Sequence, residues 1–146
     1  MMESKQDLYY LVGVAKQIYE EAERNAIQNP TTKMIQVVIV EPFKKPYKKT
    51  IPNTLEQFNE LVGGYIENVF IGATERNAKI GLLVNEEGKL KNLPFNRKIF
   101  YYNGNFEILV GRIVITAYNG QGDNISLTDQ EAEKYIKRFT QTEIYI

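Results

Sequence analysis

The side chains best equipped for recognition chemistry lie in Leu93-Pro94-Phe95-Asn96-Arg97. A guanidinium is a rigid fork that grips carboxylate or phosphate, and Asn96 beside it offers a donor and an acceptor. A second candidate is Val62-Gly63-Gly64-Tyr65-Ile66-Glu67. Two residues without Cβ would let a ligand approach the main chain there, with Tyr65 stacking and Glu67 accepting hydrogen bonds. The expectation is that Arg97, Asn96, Asn85, Tyr65 and Glu67 converge on one polar pocket, with Gly63 and Gly64 at its border. Structural readings of the same residues stay open. Gly63 would cap a helix, Gly64 would permit a tight reversal, and Arg97 would staple its loop through an ion pair, for instance to Glu67.

A third stretch, Phe43-Lys44-Lys45-Pro46-Tyr47-Lys48-Lys49, sets Lys44, Lys45, Lys48 and Lys49 around two aromatics. Such a patch suits a nucleic-acid backbone or an acidic protein surface. Lysine and proline are also what edge strands use against aggregation. The chain carries 18 basic and 18 acidic residues, and this neutral total argues against a general nucleic-acid binder. Asn119-Gly120-Gln121-Gly122-Asp123-Asn124 has neither a phosphate-loop lysine nor the acidic spacing of an EF-hand, and reads as a plain loop.

Composition closes many mechanisms. With 0 Cys and 0 His there are no disulfides, thiolate nucleophiles, imidazole bases or His–Cys metal sites. The aspartates, Asp7, Asp123 and Asp129, are too scattered to suggest a two-metal centre. No enzyme activity, cofactor or metal is expected. Neither a membrane-spanning run nor a signal-peptide h-region is present, which predicts a cytosolic protein without membrane contact.

The elements that must position these residues follow from periodicity. Leu8, Leu11, Val12, Ala15, Ile18, Tyr19, Ala22 and Ala26 fall at helical spacing and predict an amphipathic helix over 7–27. Its apolar stripe docks on the protein's own sheet or between subunits, so a homodimer through this helix is one expectation. Met34 to Val40 is the strongest strand, and Phe43 to Lys49 reads as a turn followed by a second strand through Thr50-Ile51, put at a sheet edge by Pro42 and Pro46. Thr54-Leu55-Glu56-Gln57 predicts a capping box opening a short helix, with Leu55, Phe58, Leu61 and Val62 inward and Gly63 at its end. Strands are expected over 65–71 and 79–85, then a hairpin-like turn at Glu86-Glu87-Gly88 into Lys89-Leu90. Residues 92–102 should begin irregularly, and Asn103-Gly104 marks a tight turn. Phe106 to Tyr118 reads as a long β segment bent at Gly111. Thr128-Asp129-Gln130-Glu131 predicts a second capping box, with Ala132, Tyr135, Ile136 and Phe139 inward, and residues 142–146 an edge strand. The fold class is α+β, with a mixed, mainly antiparallel, partly barrel-like sheet, an N-terminal amphipathic helix and two shorter helices, all in one domain.

From Met34 onward the chain resembles the family known as domain of unknown function 3846. The residues that carry the resemblance are Val40-Glu41-Pro42, Asn53-Thr54-Leu55, Leu61 to Glu67, Asn85 to Leu90, Leu93 to Arg97, Val110-Gly111 and Leu127-Thr128-Asp129. It makes 34–146 a family-like core and 1–33 a helical extension outside the family pattern, with Phe100 to Glu107 as an insertion. The resemblance implies a mobile-element setting, in phages, plasmids and conjugative elements of Gram-positive bacteria. Small accessory proteins there often counter host defence. The expected function is sequestration of a small anionic, nucleotide-type ligand. The alternative is inhibition of a host defence nuclease or CRISPR effector by protein contact.

Overall fold

The computed structural model describes residues 33–146. The helix expected over 7–27, and the dimer surface assigned to it, lie outside the described residues. Among the described residues nine strands form two sheets: β1 (Met34–Val40), β2 (Tyr47–Pro52), β3 (Ile66–Ala73), β4 (Lys79–Asn85), β5 (Phe95–Phe100), β6 (Phe106–Val110), β7 (Ile113–Tyr118), β8 (Asn124–Ile125) and β9 (Glu143–Tyr145). Two helices, α1 (Leu55–Val62) and α2 (Asp129–Arg138), complete the described fold. The larger sheet runs β2-β1-β7-β4-β3 with β8 paired to β7, and the smaller runs β6-β5-β9. All pairings are antiparallel except β5 with β9.

The partly barrel-like expectation is corrected: β2 and β3 end the larger sheet and do not close on each other. The cause is Gly111. Its left-handed backbone (φ 74°) breaks the long β segment, and the halves on either side, β6 and β7, join different sheets. The result is a layered arrangement around the larger sheet.

Both faces of the sheet's central strands are buried, which explains why β1 reads as a nearly continuous apolar run. Ile35, Val37 and Ile39 face α1 and pack with Phe58, Val62, Leu83 and Val114. Val38 and Val40 face the other way, into a core shared with Ile99 and Leu109 of the small sheet and Ala132, Tyr135 and Phe139 of the α2 side. Strand alternation therefore feeds two cores from one strand.

The two capping boxes part company. Thr128 Oγ1 accepts from Glu131 N, and Glu131 Oε1 accepts from Thr128 N, so the second box is complete. Thr54 Oγ1 accepts from Gln57 N at 3.1 Å, but Thr54 N is already spent on Pro52 O. Gln57 has nothing to cap and turns inward, whereas Leu55, expected inward, is exposed. Lys89-Leu90 continues a turn and starts no strand, and β5 begins sooner than the irregular stretch implied. Residues 101–105, at the centre of the stretch read as an insertion, form the β5–β6 hairpin tip.

Candidate functional site

Asn96 and Arg97 are adjacent in sequence yet both buried, Arg97 to 3 % exposure. A register shift between Phe95 and Arg97 in the β5–β6 pairing makes this geometrically possible. The extra residue of a bulge lets two neighbours point to the same side. Asn96 Nδ2 donates to Val40 O at 2.9 Å and to Gly111 O at 2.7 Å. Arg97 Nε donates to Phe139 O at 2.8 Å, Nη1 to Asn96 O and Oδ1, and Nη2 to Lys44 O at 3.2 Å. Burial lowers the Arg97 pKa from its ordinary value. Carbonyl dipoles take the place of a counter-ion, among them the end of α2, where a helix presents partial negative charge.

Arg97 therefore does not make the expected ion pair to Glu67, because main-chain carbonyls occupy its donors. The pair Asn96–Arg97 ties together the end of β1, the Gly111 bend, the end of α2 and the β1–β2 loop.

That loop carries a polar cluster at the surface. Tyr47 Oη donates to Glu41 Oε2 at 2.7 Å. Arg112 Nε lies 3.6 Å from the same oxygen, and Lys44 Nζ lies 3.6 Å from Glu41 Oε1. Burial alone would raise the Glu41 pKa, but the Tyr47 hydroxyl, Arg112 and Lys44 outweigh it and hold the carboxyl below its ordinary value. Tyr47 is pushed up to about 12 by burial, the hydrogen bond to Glu41 and that carboxylate's charge. Its folded pKa is raised, so its contribution to stability is complete below the ordinary value of 10.0 and is lost as pH rises through about 12. Absorbance titration should show a tyrosine ionising near 12 that Tyr47→Phe removes; an unchanged titration in the variant would contradict the Glu41 contact. At the loop tip, Phe43 is 86 % exposed with φ 64°, a backbone conformation that bulky side chains rarely adopt.

The remaining expected site residues gather elsewhere. Asn85 Nδ2 donates to Val62 O at 3.3 Å, and its Oδ1 accepts from Glu87 N at 2.8 Å. A Cβ on Gly64 would come within 2.9 Å of Asn85 Nδ2, so the amide occupies the space that glycine leaves. Gly63 ends α1 with φ 81°, as its capping reading requires. Tyr65 is exposed. Glu67 and Asn85 line an inter-sheet groove of about 230 Å³ with Glu86, Lys89, Glu107 and Ile108. Among these charges three are acids and one is a lysine, itself 3.8 Å from Glu107, which suits an anion poorly. The seven expected residues thus divide between an interior junction and this corner.

The lysine edge also resolves. β2 ends the larger sheet, where lysines discourage edge pairing. Lys48 reaches Glu133 at 3.1 Å and Asp129 at 3.9 Å, which ties the edge to α2. Lys44 pairs with Glu41, and Lys45 is exposed.

Glu41 and Arg112 were given no site role by the sequence, and Phe43 and Tyr47 entered only as the two aromatics among the lysines. The one usable signal was Glu41-Pro42 at the end of the best strand. A second groove, of about 450 Å³, opens between α1 and the loop after β7, with Lys33, Asn53, Phe58, Asn119, Asp123 and Asn124 in its lining. Among the described residues no cluster of three or more acids could hold a metal, and no helix is long and apolar enough to cross a membrane.

Comparison with curated proteins and with solved structures returns no match. A family model described as Domain of unknown function (DUF3846) matches residues 35–140. That span runs from β1 through α2 and includes the Asn96–Arg97 junction, the Glu41 loop and the α1–β3 corner. The chain belongs to the DUF3846 family.

Proposed function

We propose that this is a non-enzymatic binding protein of a phage or other mobile element, acting in the bacterial cytoplasm against a host defence. Its target in this reading is a host protein such as a CRISPR effector or another defence nuclease. The observation that carries the reading is the loop around Phe43. An exposed ring sits in strained backbone, with Lys44 and Lys45 following it. Arg97 braces the loop from below, and Glu41, Tyr47 and Arg112 fix its flank. A pre-positioned aromatic loses little freedom on binding, which is how interface anchors achieve their effect. The lysines suit a pocket with an acidic rim. The mobile-element setting rests on the family, and the lack of His and Cys favours binding over catalysis.

Phe43→Gly separates structure from function. Glycine accepts positive φ without strain, so the variant should be more stable by about 1 kcal/mol in thermal or urea unfolding. In hosts each carrying one cloned defence system, the chain should restore phage plating against at least one, and Phe43→Gly should remove most of that effect. A stabilised variant that protects fully would exclude this loop as the contact.

Sequestration of a small anionic, nucleotide-type ligand stands as a second reading, favoured by the 450 Å³ groove. Its volume falls in the range of small-molecule sites, and its amide side chains suit a base edge while Lys33 suits a phosphate. Native mass spectrometry with cyclic and linear nucleotides discriminates. A retained adduct released intact on denaturation favours sequestration, and a clean apo mass favours the protein target.

A further inference from the structure

The outer face of the small sheet is built as a cross-strand ladder. In register, Phe100 lies between Phe106 on β6 and Tyr145 on β9, and Lys98 lies between Ile108 and Glu143. Alternation sends Ile99, Leu109 and Ile144 into the core and leaves both rows on the opposite face. Phe100 and Tyr145 stack with centroids 4.9 Å apart, and Phe106 is tilted at 6.2 Å. Lys98 Nζ sits 4.8 Å from the Phe100 centroid and 4.3 Å from that of Phe106. Tyr145 and Phe106 are 67 % and 54 % exposed, and Phe95, at the start of β5, 42 %. At ~200 Å² per aromatic residue, Tyr145 and Phe106 leave ~240 Å² open to water. A patch of a few hundred Å² is within what a folded monomer exposes, and such patches often serve binding.

We propose that this face is a two-fold interface between two copies of the chain. The argument for a second copy is charge. Lys98 rests over rings with no carboxylate at ion-pair distance, and Glu143 has no cationic partner, among the described residues. The two are neighbours in one row, so the face is neutral and carries its own complement. An isologous contact sets residue i against j and j against i. A two-fold axis through the row brings Lys98 of each copy to Glu143 of the other and lays ring row against ring row. A nucleic-acid strand fits worse, because Glu143 repels phosphate and Phe100 and Tyr145 already cover each other's faces. This interface does not use the Phe43 loop.

Sedimentation equilibrium of the full chain tests it. The wild type should sediment at twice the chain mass at micromolar concentration. Lys98→Glu and Glu143→Lys should each raise the dimer dissociation constant by at least ~10-fold, since each sets like charges together. An equimolar mixture of the two variants should recover the dimer, because every contact then pairs opposite charges. Both positions are at the surface, and matching melting curves would confirm that the variants fold. A monomeric wild type overturns the proposal, as does a dimer indifferent to both reversals. A monomer that binds labelled oligothymidylate through Phe106 and Tyr145 would replace it with a strand-binding face.

Discussion

Arg97→Ala should destabilise the protein by about 3 kcal/mol, measured as a shift in urea midpoint at unchanged slope. The substitution strips donors from the carbonyls of Phe139, Asn96 and Lys44 at once, the first two of these contacts being buried and the third partly so. Each abandoned buried acceptor costs on the order of 1 kcal/mol or more. Arg97→Lys should recover little, because one ammonium cannot span acceptors on three separate segments. A ligand clamp behaves differently: exposed and waiting for an anion, it can be truncated with stability intact and binding lost. An unchanged urea midpoint for Arg97→Ala would therefore return Arg97 to the ligand-binding role expected from its residue type. The same substitution should also loosen the Phe43 loop, since Nη2 is its tie to the interior through Lys44 O.

That outcome bears on what was legible beforehand. Element types followed well from period and punctuation: β1 from its β-branched run, α2 from a complete capping box, the break at Gly111 from glycine inside an apolar segment. Asn96 and Arg97 were singled out correctly as unusual, but strand alternation places neighbours on opposite faces. Only the bulge turns both inward, and a bulge depends on the partner strand's register. The Glu41–Tyr47–Arg112 cluster was hidden for a related reason. Arg112 reaches Glu41 because Val40 pairs with Ile113, a contact between strands more than seventy residues apart. Nothing local announces that pairing. The lysine edge had the opposite fate: its structural reading needed only β-propensity and Pro46, and β2 is indeed an edge.

Gln57→Leu should stabilise the chain by about 2 kcal/mol, the second large effect expected here. Thr-x-x-Gln is a capping signature because the amide normally returns a bond to the cap's own N–H. Here Thr54 N donates to Pro52 O, so the return partner is taken. Gln57 is left 2 % exposed with both amide atoms unpartnered, beside Phe58 and Val62 on the buried side of α1. Leucine has similar volume, removes both orphaned groups and adds apolar contact to that core. The N-cap itself survives, since it uses only Gln57 N. Thermal unfolding of the variant decides between two accounts of a buried amide. A raised midpoint means the glutamine is a cost the fold carries. A lowered midpoint means its amide holds something in place, and the next substitution would be Gln57→Glu, which keeps the shape while changing what the group can bond.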